Sequence, residues 1–119
     1  MIKVRNKILY LYGKKVGIIT KDGKFVTFRD EKKHLYRMYD AWGFSKEVID
    51  FLDRIGIWLV EVVTRTKLYR ILFDDILRYG IKHRNPRDEK ELQILVPRKF
   101  FRAFDLKPDK EHQKILEKL

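Results

Sequence analysis

Three histidines, one adjacent pair of aspartates, a single serine and a large excess of lysine and arginine are the residues of this 119-residue chain that could do chemistry. His34, His83 and His112 lie far apart, and none stands at a recognisable metal-ligand spacing. A metal-dependent nuclease centre could be assembled from Asp74, Asp75 and a histidine only if folding brought in carboxylates such as Asp40, Asp50 or Glu61. With no cysteine, disulfides, thiolate zinc sites and cysteine nucleophiles are all excluded. Ser45 has no nucleophile elbow around it and sits where a helix cap is wanted. Gly13 and Gly17 lack the Gly-Lys-Ser/Thr ending and the following helix of a phosphate-binding loop, and no cofactor is expected.

Charge is the stronger signal. The formal net charge is +11, and it is segregated along the chain. Residues 1–37 hold 11 Lys/Arg against 3 Asp/Glu, residues 38–63 hold 2 against 5, residues 64–87 hold 7 against 2, and the remainder is nearly balanced. Cations that displace condensed counterions from phosphates gain affinity without any base code, so a polyanion, DNA or RNA, is the expected partner. The candidate phosphate-contacting residues fall in two groups. The first is Lys3, Arg5 and Lys7, which alternate with apolar residues, together with Lys32, Lys33 and Arg37. The second is Arg65, Lys67 and Arg70 with Lys82, Arg84 and Arg87, expected on a hairpin and a loop, where binding residues concentrate. Tyr10, Tyr12, Phe25, Phe28, Tyr36 and Tyr69 are interleaved with these cations, a pairing that single-strand binders use to stack bases while tracking phosphates. A ring on the same side of the sheet as Lys3, Arg5 and Arg29 would be the mark of such a surface.

The elements that must position these groups read as a small α+β domain over residues 1–105, antiparallel hairpins packed on two or three short helices, followed by a helical or frayed tail over 106–119. Alternation predicts strands near 8–12, 16–20 and 25–29, with Asp22-Gly23 as a type I′ turn between the last two. Asp30 is placed to cap a helix over 31–42 whose Leu35, Met38, Tyr39 and Trp42 face the core. A second helix over 46–55, ended by Gly56, buries Val48, Ile49, Leu52 and Ile55 and displays Glu47, Asp50 and Asp53. This tandem invites comparison with a helix-turn-helix, but carboxylates on the second helix oppose a recognition role. Next come a strand over 57–63, a hairpin to 68–72, a short helix capped by Asp74 and ended by Gly80, and a strand over 92–96. The last is followed by a helical turn over 98–104 anchored by Phe100, Phe101 and Phe104.

No apolar run approaches the roughly 20 residues of a membrane span. A cytoplasmic, non-catalytic protein is expected, of a composition poor in Asn and Gln that resembles thermophile proteins. A protein-interaction or dimerisation module, using the acidic second helix or the tail in a homodimer, is the alternative.

Overall fold

Period-two alternation in the first 28 residues builds four strands that pair in chain order. The computed structural model describes residues 1–84 and 92–106. β1 (Ile2–Arg5), β2 (Ile8–Leu11), β3 (Lys14–Ile19) and β4 (Lys24–Phe28) form an antiparallel meander. The turn between β3 and β4 is closed by the Gly23 N–H donating to the Thr20 carbonyl at 3.2 Å. Only Gly23 there has positive φ, +87°, so this is a longer loop ending in a left-handed glycine and not the two-residue type I′ turn expected from Asp-Gly.

Asp30 caps a helix as expected, its carboxylate accepting from the Lys32 N–H at 2.8 Å, but α1 (Glu31–His34) is one turn long and does not reach Trp42. The chain instead enters β5 (Leu35–Tyr36), turns through Asp40 at φ +47° and returns as β6 (Ala41–Ser45). The expected helical stripe is dissolved: Met38 is 88% exposed and Tyr39 44%, whereas Trp42 is fully buried from a strand. Tertiary burial at a spacing of two, Trp42 and Phe44, outweighs the 3.6-residue pattern. Gly43 between them is required by close approach, since a Cβ there would lie 2.5 Å from the Tyr36 ring.

α2 (Lys46–Arg54) follows with Ser45 at its N-cap position, although the serine side chain makes no capping bond. It buries Val48, Ile49 and Leu52, while Ile55 lies beyond its end and is 44% exposed. β7 (Leu59–Val63) and β8 (Lys67–Leu72) form the expected hairpin. α3 (Phe73–Tyr79) begins two residues early: Leu72 occupies the cap position and Asp74 the first turn, with Phe73 and Ile76 buried and Leu77 and Tyr79 exposed. β9 (Ile81–Arg84) and β10 (Leu92–Pro97) come next. The expected terminal helix is only a 3₁₀ turn at Arg98–Phe100, after which β11 (Arg102–Asp105) is extended and carries Phe104 at its surface.

Two sheets result. The larger has the order β1-β2-β3-β4-β7-β8-β11, antiparallel except for the parallel pair β4/β7, and the smaller is β5-β6-β10-β9, antiparallel throughout. One face of the large sheet, with Leu9, Phe25, Val60, Val62, Tyr69 and Ile71, shares a core with Trp42, Phe44, Ile94 and Val96 of the small sheet. The buried residues of α2 and α3 join that same core. No side chain from the opposite face of the large sheet belongs to it.

The first turn of α1 is sensitive to pH. Burial, and then the neighbouring Arg29, lower the His34 pKa below its ordinary 6.5, while the Asp30 N–H donates to its Nδ1 at 2.8 Å. The Lys32 N–H bond likewise lowers Asp30 from 3.8. Both folded values are depressed, so each contribution is complete above the unfolded pKa and is lost as pH falls through the folded one. Thermal midpoints should be level above about pH 7 and decline in two stages on acidification. His34→Gln should remove the first stage, and calorimetry between pH 7 and pH 3 checks it.

Candidate nucleic-acid interface

Strand register decides which side chains share the outer face of the large sheet. Directly opposed residues point the same way, so the core position of Leu9 sends its partner Val4 inward and the pairs Arg5/Ile8 and Lys3/Tyr10 outward. Ile8 opposes Ile18, Ile18 opposes Val26, Val26 lies beside Glu61, Glu61 opposes Arg70, and Arg70 opposes Arg102. A continuous row therefore crosses all seven strands, with cations at both ends and a carboxylate near the middle. Phe28, Val63, Leu68 and Phe104 form part of the next row, and Lys24, Leu59 and Leu72 part of a third.

Three features give this face its chemistry. Five cations, Lys3, Arg5, Lys24, Arg70 and Arg102, stand on it, whereas Lys15 opposes Tyr10 only beyond the register shift at Leu9/Tyr10 and lines the cleft between the sheets. Among the described strand residues Glu61 is the one carboxylate that joins them. Glu61 is buried and held by Arg70, Nε to Oε2 at 2.8 Å, so its charge is answered within the sheet. Phe104, 39% exposed, lies between two guanidinium groups, with the Arg70 and Arg102 Cζ atoms 5.9 and 5.7 Å from the ring centroid. A ring so placed offers a π-face flanked by two guanidinium forks. At the other edge, Tyr10 stands opposite Lys3.

Tyr10 therefore shares a side with Lys3 and Arg5 but not with Arg29, so the three cations do not share one face. Arg29 is different: its guanidinium packs on Phe44 at 4.9 Å on the core side. The twelve candidate cations divide among several places. Lys3, Arg5 and Arg70 share the outer face. Lys7 does not continue the row, because it sits in the β1–β2 turn at φ +68°. Lys32 and Lys33 are exposed on α1, and Arg37 is exposed in the turn after β5. Arg65 and Lys67 lie at the β7–β8 turn, where Arg65 meets Asp30 at 3.8 Å and Lys67 meets Asp105 at 3.0 Å. The Asp105 hydrogen bond and charge raise the Lys67 pKa. Lys82 and Arg84 are on β9, at the edge of the small sheet, and Arg87 lies outside the described residues, as does His112.

Sequence reasoning missed Lys24, Arg102 and Phe104. Lys24 was legible from its alternation with Phe25 and Thr27. Arg102 and Phe104 were hidden because Phe100, Phe101 and Phe104 also fit a helical period. The acidic α2 packs into the core and so lies on the side of the sheet away from the five cations. Asp74 and Asp75 ride on α3, where Asp75 pairs with Arg78 at 3.8 Å, and among the described residues no three or more His, Asp or Glu cluster as metal ligands would. No described helix is long and apolar enough to cross a membrane. In comparisons with known proteins the chain matches no family model, no curated protein and no solved structure.

Proposed function

We propose that this chain binds single-stranded nucleic acid across the outer face of its large sheet, without catalysis and with little base selectivity. The observation that carries this reading is the shared face of Lys3, Arg5, Lys24, Arg70 and Arg102 with Tyr10, Phe28 and Phe104. Cations contact phosphates, and exposed rings accept unstacked bases, which a duplex keeps paired and unavailable. The backbone contacts are charge-based and carry no sequence information.

The acidic-helix alternative loses support from the internal pairing of α2. Glu47 is taken by the Met1 ammonium at 3.0 Å and by the Tyr12 hydroxyl, which donates at 3.1 Å, while Asp50 is taken by Lys46 at 2.7 Å. A partner would find only Asp53 of the three carboxylates without such a bond.

Fluorescence anisotropy with a labelled oligonucleotide, single-stranded and then annealed to its complement, tests the proposal. The single strand should bind more tightly. Phe104→Ala should weaken it by roughly 5- to 150-fold, the stacking of one base at about 1–3 kcal/mol, with the fold intact because the ring lies outside the core. Equal affinity for the duplex, or no effect of Phe104→Ala, would refute stacking on this face.

A further inference from the structure

A cleft of about 440 Å³ opens between the two sheets, on the side of β4 opposite the nucleic-acid face, and its lining includes no carboxylate. Lys15, Arg29, Lys33 and His34 contribute its charged and titratable groups, and Ser45 and Tyr36 add hydroxyls. Phe25, Phe44 and Leu35 provide apolar walls. The volume falls within the range of small-molecule sites, which combine mostly apolar walls with a few convergent polar groups.

Arg29 is the fixed point of this cleft. Its Nη1 donates to the Gly43 carbonyl at 2.6 Å, its Nε donates to Thr27 Oγ1 at 3.4 Å, and its Cζ lies 4.9 Å from the Phe44 ring centroid. A guanidinium has five N–H donors, so these two bonds hold the fork in place and leave further donors for a ligand. Among the described residues no carboxylate lies within ion-pair distance of it. Burial lowers its pKa to about 10, so it remains charged at neutral pH. A half-buried cation without a counter-charge costs folding free energy. Retaining one in a cleft is what an anion site requires. The nearest acid along the chain, Asp30, is turned to the α1 cap and Arg65.

His34 adds a defined donor. Its Nδ1 accepts the Asp30 N–H at 2.8 Å, so the neutral ring carries its proton on Nε2. Three cations with a neutral donor suit a dianionic phosphate better than a monoanionic carboxylate, because a planar fork binds phosphate oxygens in pairs. The aromatic walls suit a flat organic body. We propose that this cleft binds a small organic phosphate of nucleotide size, with Arg29 as the anchoring anion contact and Lys15, Lys33 and His34 around the phosphate. This site is separate from the sheet face assigned to nucleic acid, and each can fail without the other.

Isothermal titration of the full chain with adenosine monophosphate, adenosine and inorganic phosphate tests it. The nucleotide should bind with a dissociation constant near 1 mM or below, about −4 kcal/mol. Adenosine should be weaker by roughly 10-fold or more, reflecting the lost charge-assisted bonds, and inorganic phosphate weaker than the nucleotide. Arg29→Met should weaken nucleotide binding by roughly 10-fold or more while leaving the thermal midpoint equal or higher, since it removes an unpaired half-buried charge. Should Arg29→Met not fold, the double variant Lys15→Ala/Lys33→Ala serves, because both lysines are exposed. Lys82→Ala, on the edge strand β9 of the small sheet and outside both sites, should leave nucleotide binding unchanged. The proposal is overturned by any of three results: no heat with the nucleotide at 10-fold above that constant, adenosine or phosphate equalling the nucleotide, or the cleft variants binding as the parent chain does.

Discussion

Trp42→Ala should lower the unfolding free energy by about 3–5 kcal/mol, the usual cost of deleting a large buried ring. Trp42 is fully buried on β6, lies edge-on to Tyr69 at 5.8 Å, and belongs to the core that joins the two sheets. The surrounding elements are strands fixed by ladders on both sides, so little collapse into the void is expected. Its indole N–H, however, has no hydrogen-bond partner. Trp42→Phe therefore sheds an unsatisfied buried donor, worth about 1–3 kcal/mol, against the loss of part of the ring volume. The net cost should be about 1 kcal/mol or less, far below that of alanine. Urea unfolding followed by circular dichroism separates the two variants. Equal losses for Phe and Ala would mean that the indole nitrogen itself is held in the core.

Raising salt from 50 to 200 mM should weaken single-strand binding by roughly 20- to 100-fold, the drop expected for three to five phosphate contacts on a single strand. The slope of log affinity against log salt also locates the interface. Lys3→Ala/Arg5→Ala should flatten it by about 1.4, two contacts at about 0.7 each. Lys82→Ala/Arg84→Ala on β9 should leave it unchanged, because that edge belongs to the other sheet. If the β9 pair flattens the slope and the β1 pair does not, the strand runs along the small sheet and the outer-face assignment is wrong. Charge alone would move all four in proportion, so the contrast reads position and not net charge.

The α+β class, the opening meander, the β7–β8 hairpin, α2 and the β10 strand were legible because each is specified by neighbours a few residues away. Alternation, turn residues and a helix stop at Gly56 are local signals. What was hidden depended on distant partners. Residues 31–42 carry a sound cap and a helical spacing of apolar residues, yet Trp42 and Phe44 are drawn into a strand by Val96 and Ile94 of β10, some fifty residues on. Phe104 was read as a core anchor because nothing local reveals that its strand is the last of seven. The cations of the candidate face were legible as charge and not as a shared face. Lys3, Arg5 and Arg70 were named from charge, but their convergence with Lys24 and Arg102 comes from cross-strand register, which one chain read linearly does not display.

The single parallel pair in the large sheet has a kinetic consequence. β1 to β4 can close by short hairpins, each linking segments adjacent in the chain, whereas β4 must wait for β7, with Lys24 lying beside Leu59. Loop-closure entropy makes that pairing the slow one. During synthesis the meander is complete while residues 29–58 are still being added, and β4 is then a bare edge with Phe25, Val26 and Phe28 lacking their β7 neighbours. An uncovered apolar edge of this kind is a template for pairing with another chain. The interval between completing β4 and completing β7 is thus the stage of folding at which two nascent copies are most able to associate wrongly, and it closes when the hairpin of β7 and β8 docks.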